Sequence, residues 1–305
     1  MNQTTTEPDI ARRAGVLRFG LRLLSCIRFD EVRLLQGATV IGAAFSIGAL
    51  TAHNLLVVAA VVAGNVCLVA HVFLLNDWSG IDSDLRDPTR AAGTFLAKGV
   101  SRTEIGYLAM GLLALSLAFF GLVGAAPLLM AAAIAALSAL YSAPFSHLKG
   151  VPLCSSALHL LGGALHFLLG YSAFEMIDGR GLAISGFFGL VFAAGHLTHQ
   201  ARDLEGDWLN AIRTTAVAFG KTRSFFGSLA LFTLAYALLA ALAVWGLVPF
   251  VLVLALALYP FHLYAAWRAL RAGLTYESLR RLQANYRGIF ALIGITMLVT
   301  APFSW

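Results

Sequence analysis

Charge is scarce in this sequence. Only 12% of its 305 residues are Asp, Glu, Lys or Arg, against roughly 25% in a typical soluble domain. So thin a supply excludes a water-facing surface over most of the chain; 59% of residues are hydrophobic and the mean hydropathy is +0.82. Cysteine is nearly absent as well. Cys26, Cys67 and Cys154 stand far apart with no CxxC pair, which excludes a disulfide framework or a cysteine zinc site. Ten-residue stretches of alternating polarity, the mark of a membrane barrel, are missing too. The first thirty residues carry several arginines and no long apolar core, so no cleavable leader is expected.

What is present is a series of long apolar runs. A spanning helix needs about 20 such residues, and in lipid every backbone polar group must bond within the protein, which favours helices. Spans are expected near 34–51, 55–75, 103–123, 125–143, 152–174, 182–201, 224–245, 248–267 and 286–303. The predicted fold is therefore an all-α integral membrane bundle of about nine transmembrane helices with a polar cap on the cytoplasmic side. Residues 1–31 read as a polar tail followed by a candidate amphipathic surface helix over 10–31, and 32–305 as one transmembrane domain. With the N-terminus inside, Arg180 is the only one of the 21 Lys and Arg residues to fall on the far side. That asymmetry predicts cytoplasmic loops and accounts for the net charge of +6 without nucleic acid. The expected location is a bacterial inner membrane.

The acids cluster. Asp77, Asp82, Asp84 and Asp87 follow the second span; Asp203, Glu205 and Asp207 follow the sixth. Asp203 and Asp207 are four residues apart, and Asp77 and Asp84 seven, so on helices each pair shares a face. Like charges so placed repel, and ionisable groups at membrane helix ends call for a cation or a function. Mg²⁺ takes hard oxygen ligands, commonly one or two carboxylates together with substrate phosphates. Two facing acid pairs could hold such ions and a diphosphate, with lysines and arginines of the same loops on its outer oxygens. Asp82 and Asp87 taken singly read as solvated interface acids.

Asn76-Asp77 followed by Asp84 resembles the first motif of the UbiA-type intramembrane prenyltransferases, NDxxDxxxD. Asp203-Leu204-Glu205-Gly206-Asp207, with Thr214-Thr215-Ala216-Val217 and Gly220 downstream, resembles the second, DxEGDxxxGxxTxxVxxG. Leu140-Tyr141-Ser142-Ala143-Pro144 through Leu148-Lys149-Gly150 resembles the Tyr-Ser…Leu-Lys loop of many members. The resemblance spans nearly the whole chain. It implies Mg²⁺-dependent transfer of an isoprenyl group from a prenyl diphosphate donor to a lipophilic acceptor, aromatic or quinone-type, within the membrane lipid. It assigns Asn76, Asp77, Asp84, Asp203 and Asp207 to the metal and diphosphate. Arg90 and Lys149, with Arg86, Arg202 and Lys221 from the same loops, are assigned to substrate oxygens, and Tyr141 to the neighbourhood of the reacting carbon. The sequence departs from the pattern in three places. Gly80 replaces the middle aspartate of the first motif, Gly93-Thr94-Phe95 replaces an Arg-Pro, and Ala211 replaces a glycine of the second motif.

Histidines in apolar spans are the remaining candidates. His199 precedes Asp203 by one turn, His196 by two, and His159 and His166 share a face of the fifth span. Each could orient or deprotonate an acceptor hydroxyl or simply bond neighbouring helices; His199, beside the motif, is taken as catalytic. Two alternatives share the diphosphate chemistry. One is a UbiA-type terpene cyclase, the other phosphoribosyl transfer to a lipid phosphate.

Overall fold

A computed structural model describes residues 18–142 and 148–301. The polar tail 1–9, the start of the arginine-rich stretch and Ala143-Pro144 of the Tyr-Ser loop lie outside the described residues. Residues 18–25 are helical, as expected for the surface helix, and Phe29–Leu34 adds a short second turn.

The bundle is built from α1 (Gln36–Ala44), α2 (Ala52–Arg86), α3 (Arg102–Val123), α4 (Ala125–Ser142), α5 (Cys154–Tyr171), α6 (Gly179–Arg202), α7 (Lys221–Val244), α8 (Tyr259–Arg271) and α9 (Tyr276–Thr300). Among the described residues seven helical segments are long and apolar enough to cross a membrane. The expected count of nine spans is not confirmed by this measure. The first predicted span contains a helix of only nine residues, α1. The fifth, α5, has eighteen residues, and His159, His166 and three glycines dilute its apolar content. Side chains such as Leu56, Leu122 and Leu254 stand exposed on the outside, where lipid rather than water is the compatible solvent.

Local signals explain the helix ends. Thr51 caps α2 by accepting from the Asn54 N–H at 3.1 Å. Ser101 and Glu104 form a reciprocal capping box on α3, and Asp178 caps α6 through the Gly181 N–H at 2.7 Å. The eighth span begins as a tight 3₁₀ segment, Phe250–Leu258, and becomes α-helical only at Tyr259. Pro260 explains the change: with no N–H, it cannot complete the α-pattern bond to the Leu256 carbonyl, and the Tyr259 N–H bonds it instead.

α2 differs most from expectation. Its apolar run was predicted to stop near residue 75, yet the helix has 35 residues and ends at Arg86. At 1.5 Å per residue that is about 52 Å, well beyond a hydrocarbon core of about 30 Å. No helix breaker intervenes until Pro88, which holds Asp87 extended (φ −90°, ψ 110°). The first acidic motif is thus helix, not loop.

At the centre, α5 packs between α1 and α6. A Cβ on Gly42 or Gly170 would overlap carbonyl oxygens across the α1–α5 crossing, and one on Gly163 or Gly189 would crowd those across the α5–α6 crossing. Small residues that let backbones touch are the usual glue between membrane helices, where lipid offers no hydrophobic drive for association. Thr39 Oγ adds a bond to the His166 carbonyl at 2.9 Å.

Candidate functional site

A cavity of about 1440 Å³ opens inside the bundle, walled by α1, α2, α4, α5, α6 and α9. Its interior is apolar, with Leu137, Phe187, Phe188 and Phe192 on the wall. Its mouth carries both acidic motifs: Asn76, Asp77, Asp84, Asp87, Asp203 and Asp207 all line it, as do Arg90, Lys149, Arg202 and Lys221. Of the predicted site residues, Arg86 alone is left out. It ends α2 on the exposed side and does not line the cavity, because the helix continues and turns it away from Asp77 and Asp84.

Arginines bind the acids together. Arg90, on the short helix Pro88–Ala91, reaches Asp84 at 3.4 Å, Asp87 at 3.5 Å and Asp203 at 2.9 Å, so one guanidinium bridges the two motifs. Arg202 holds Asp203 with two parallel bonds of 2.6 and 2.9 Å and reaches Gln283 at 2.6 Å. Asp77 is ion-paired with Arg28. Lys221 pairs with Glu205 at 2.5 Å. Among the described residues no three His, Cys, Asp or Glu side chains stand close enough to share a metal ion; the carboxylates are drawn to guanidinium groups instead.

The two carboxylates of the second motif are shifted in opposite directions. Burial alone would raise Asp203, but the Arg202 fork and the nearby Arg90 charge more than offset it and hold the group below the usual carboxylate range. Asp207 is buried without such a fork. Burial pushes it up to about 6, with the Asp203 charge adding to the shift while Lys149 and Arg90 oppose it. Arg90 itself is partly desolvated, yet Asp203 and Asp84 keep it firmly charged.

The motif's small residues now have reasons. A Cβ on Gly206 would come within 2.9 Å of the Asp87 carboxylate, so this glycine lets the motifs meet. Ala211, in place of the family's glycine, has φ +54°, a left-handed conformation that suits glycine. Thr215 Oγ accepts the Leu153 N–H at 3.0 Å, tying the second motif to the start of α5, just after the turn Leu148–Gly150 that carries Lys149. A Cβ on Gly80 would make only ordinary contact, 3.8 Å from Ser83 and 3.9 Å from Asp84. A Cβ is thus accommodated at this position, which lines the cavity. Asp82 does not stand in for the missing aspartate: it is exposed and faces Arg102 at 3.7 Å.

Tyr141 and His199 both line the cavity. Tyr141, in the last turn of α4, stands next to the rings of His159 and His196, with centroids 5.2 and 6.1 Å away. Three participants escaped the sequence reading. Asp87 was taken as a solvated acid but is buried against Arg90 and Gly206. Arg28 was one of several N-terminal arginines explained by topology, and nothing in its spacing points to Asp77. Gln200, on the cavity wall, bonds Ser155 and His196 at 2.8 and 2.9 Å; its place one turn after His196 is the only sequence signal.

Comparison with known proteins agrees with this arrangement. The sequence matches no curated protein. Among solved structures, a UbiA homolog from Aeropyrum pernix K1 superimposes with a TM-score of 0.71 at 21% identity, over 88% of this chain and 98% of that one. A UbiA homolog from Archaeoglobus fulgidus bound to DMAPP and Mg²⁺ gives 0.68 at 17% identity, over 91% and 99%. A study of digeranylgeranylglyceryl phosphate synthase in membranes supplies a third, at 0.69 and 18% identity, over 92% and 98%. These likenesses concern the fold. The pattern of the UbiA prenyltransferase family matches residues 37–281, which include both acidic motifs and the cavity wall between them, and the chain belongs to that family.

Proposed function

We propose that this protein transfers an isoprenyl group from a prenyl diphosphate, with Mg²⁺, to a lipophilic acceptor of aromatic or quinone type inside the membrane. The observation that carries the reading is the Arg90 bridge, which joins Asp84 of one motif to Asp203 of the other at the mouth of an apolar cavity. The fold shared with an Archaeoglobus homolog bound to DMAPP and Mg²⁺ supports it. The transmembrane domain, residues 32–305, carries the activity, and the arginine asymmetry puts the N-terminus and the acidic mouth on the cytoplasmic side.

The donor chemistry suits the metal: Asp84, Asp87 and Asp203 surround the Arg90 guanidinium, each on a different nitrogen, and their oxygens are the hard ligands Mg²⁺ prefers. Asn76, Asp77, Asp84, Asp203 and Asp207 would hold it. Bound there, Mg²⁺ would supply charge neutralisation for the departing diphosphate. Arg90, Arg202 and Lys221 exchange carboxylate partners for the outer diphosphate oxygens, and Lys149 binds beside them. Such preorganised charge acts on what develops in the transition state and is worth about 10²–10³ in rate per contact. Tyr141 stands beside C1 as it gains allylic-cation character. The phenylalanine-lined interior holds the prenyl chain and keeps out water that would trap the cation.

The test offers detergent-purified protein allylic diphosphates of several chain lengths, with Mg²⁺, with and without a lipid extract. Diphosphate release and product mass are read against Asp203→Ala and EDTA controls. Metal-dependent release that needs the extract, with a product heavier by the prenyl group, is expected. Release without acceptor, yielding a hydrocarbon or terpene alcohol, would make the protein a cyclase. Absence of release at every chain length would sink the prenyl donor altogether.

A further inference from the structure

The outer face of α8 carries a stripe that neither the packing of the bundle nor the donor chemistry uses. His262, Ala265, Ala266 and Ala269 turn inward and are buried against the bundle. Phe261, Tyr264, Trp267, Arg268 and Arg271 follow one another at helical spacing on the opposite side, all exposed, so they share one face. Tyr264 and Trp267 are 59% and 51% exposed, and none of the five lines the cavity. Phe250–Arg271 is long and apolar enough to cross a membrane, so this face meets lipid.

The stripe is graded in polarity. At 1.5 Å per residue, Phe261 lies about 15 Å along the axis from Arg271. The arginines stand at the end of α8 nearer the acidic mouth, where Tyr276 of the next helix lies over Arg202. Between Phe261 and the last arginine the rings stack, Tyr264 on Trp267, with centroids 5.8 Å apart and planes 25° apart. Arg268 lies over Tyr264, 6.0 Å from the ring centre, and Arg271 over Trp267 at 5.4 Å. Each guanidinium is thus held by a ring face and keeps its N–H edge for an acceptor.

Topology accounts for arginines at this end of the helix. It does not account for two of them being laid over rings on the lipid face. Nor does local pairing. Glu277 is the only acid in 259–305, and Arg280 and Arg281 take it at 2.9 and 3.1 Å. Arg287 pairs with Glu31 at 3.1 Å. The local field is therefore positive, and Arg268 and Arg271 have rings in place of carboxylates. We propose that Tyr264, Trp267, Arg268 and Arg271 form a binding site for one anionic phospholipid, with its phosphodiester on the two guanidinium groups and its acyl chains running past Phe261.

The order of groups along the stripe follows the order of groups in such a lipid. Phe261 matches the chains, and the stacked rings match the glycerol level, where amphipathic aromatics settle. The guanidinium groups match the phosphate, which accepts parallel N–H bonds from an arginine. A zwitterionic lipid would bring its own cation up to Arg268 and Arg271, and the repulsion would cancel much of the gain. Each arginine near an anionic headgroup strengthens binding by about fivefold.

The experiment titrates the full chain in detergent with phosphatidylglycerol or with phosphatidylcholine of the same acyl chains and reads bound lipid by native mass spectrometry. The first phosphatidylglycerol is expected to bind at least about tenfold tighter than phosphatidylcholine. Arg268→Gln/Arg271→Gln should cut that preference to about twofold or less. Trp267→Leu, which removes the ring under Arg271, should lower it by about threefold. Arg213→Gln/Arg223→Gln removes as much charge from exposed positions near the second motif and should leave the preference unchanged. Phosphatidylglycerol brominated along its chains should quench tryptophan fluorescence in the wild type and quench it less in Trp267→Phe. Equal binding of the two lipids, a preference that survives loss of Arg268 and Arg271, an equal fall in the Arg213/Arg223 variant, or quenching untouched by Trp267→Phe would each overturn the proposal. The outcome is independent of prenyl transfer.

Discussion

The two acidic motifs present the same chemistry on different backbones. The first rides the last turns of an unbroken 35-residue helix, α2. The second breaks the chain: α6 ends at Arg202, Asp203 lies between helices, Leu204–Leu209 forms a short helix, and Ala211 turns left-handed. The rigid side places its backbone by helical repeat, and Arg28 and Arg90 then pair with its carboxylates. The broken side places them by specific contacts, namely the Arg202 fork on Asp203, the close approach of Asp87 to Gly206 and the Thr215 bond to Leu153. The first motif should therefore tolerate change better than the second, whose carboxylates depend on many partners.

The sharpest test sets Asp203→Asn beside Asp84→Asn. Asp203 balances two guanidinium groups and Asp84 shares one. The Asp203 change should lower kcat/KM about 10³-fold and the Asp84 change about 10²-fold. Equal losses would erase the difference between the motifs.

Asp207 offers a test by pH. Its folded-state value of about 6 lies above the ordinary 3.8, so the proton favours the folded state. The stability it contributes is complete below the ordinary value and is lost as pH rises through about 6. Mg²⁺ needs the ionised carboxylate, so its binding reverses that loss. The rise in unfolding midpoint on adding Mg²⁺ should be larger at pH 7.5 than at pH 5. A shift independent of pH would take Asp207 out of the metal site.

Restoring the missing aspartate sharpens the comparison from the other side. A Cβ at Gly80 meets only ordinary contacts, and Gly80→Asp adds a carboxylate near Asp84, so the Mg²⁺ concentration for half-maximal activity should fall by about fivefold. An unchanged requirement would place Mg²⁺ chiefly on the second motif.

The smallest effect is expected at Ala211. Relieving its left-handed strain with Ala211→Gly should stabilise the fold by roughly 0.5–1 kcal/mol, read as a higher unfolding midpoint with activity unchanged. A lower midpoint would show that the turn is not strained.

Much of the site was legible before any coordinates. Asp203 and Asp207 at four-residue spacing, Asp77 and Asp84 at seven, and Lys149 after Tyr141 all reach one cavity mouth. Chemistry and spacing carry that information within short segments. The misreadings needed distant partners. Asp87 looked solvated because its burial comes from Gly206, far along the chain. Arg28 looked like topology because Asp77 lies on another helix. Where Arg86 stands, on the exposed side outside the cavity lining, also depends on how far α2 continues.

Composition and periodicity by themselves determined that this chain is a helical membrane bundle with its acids at the helix ends, because transfer of a backbone into lipid depends on local polarity. Only the tertiary structure decided how the acids are balanced, through Arg90 between motifs, Arg28 on Asp77 and a stacked His159–His196 pair against Tyr141. Ion pairing and ring stacking act over a few ångströms in space, and the residues they join stand tens of positions or more apart along the chain.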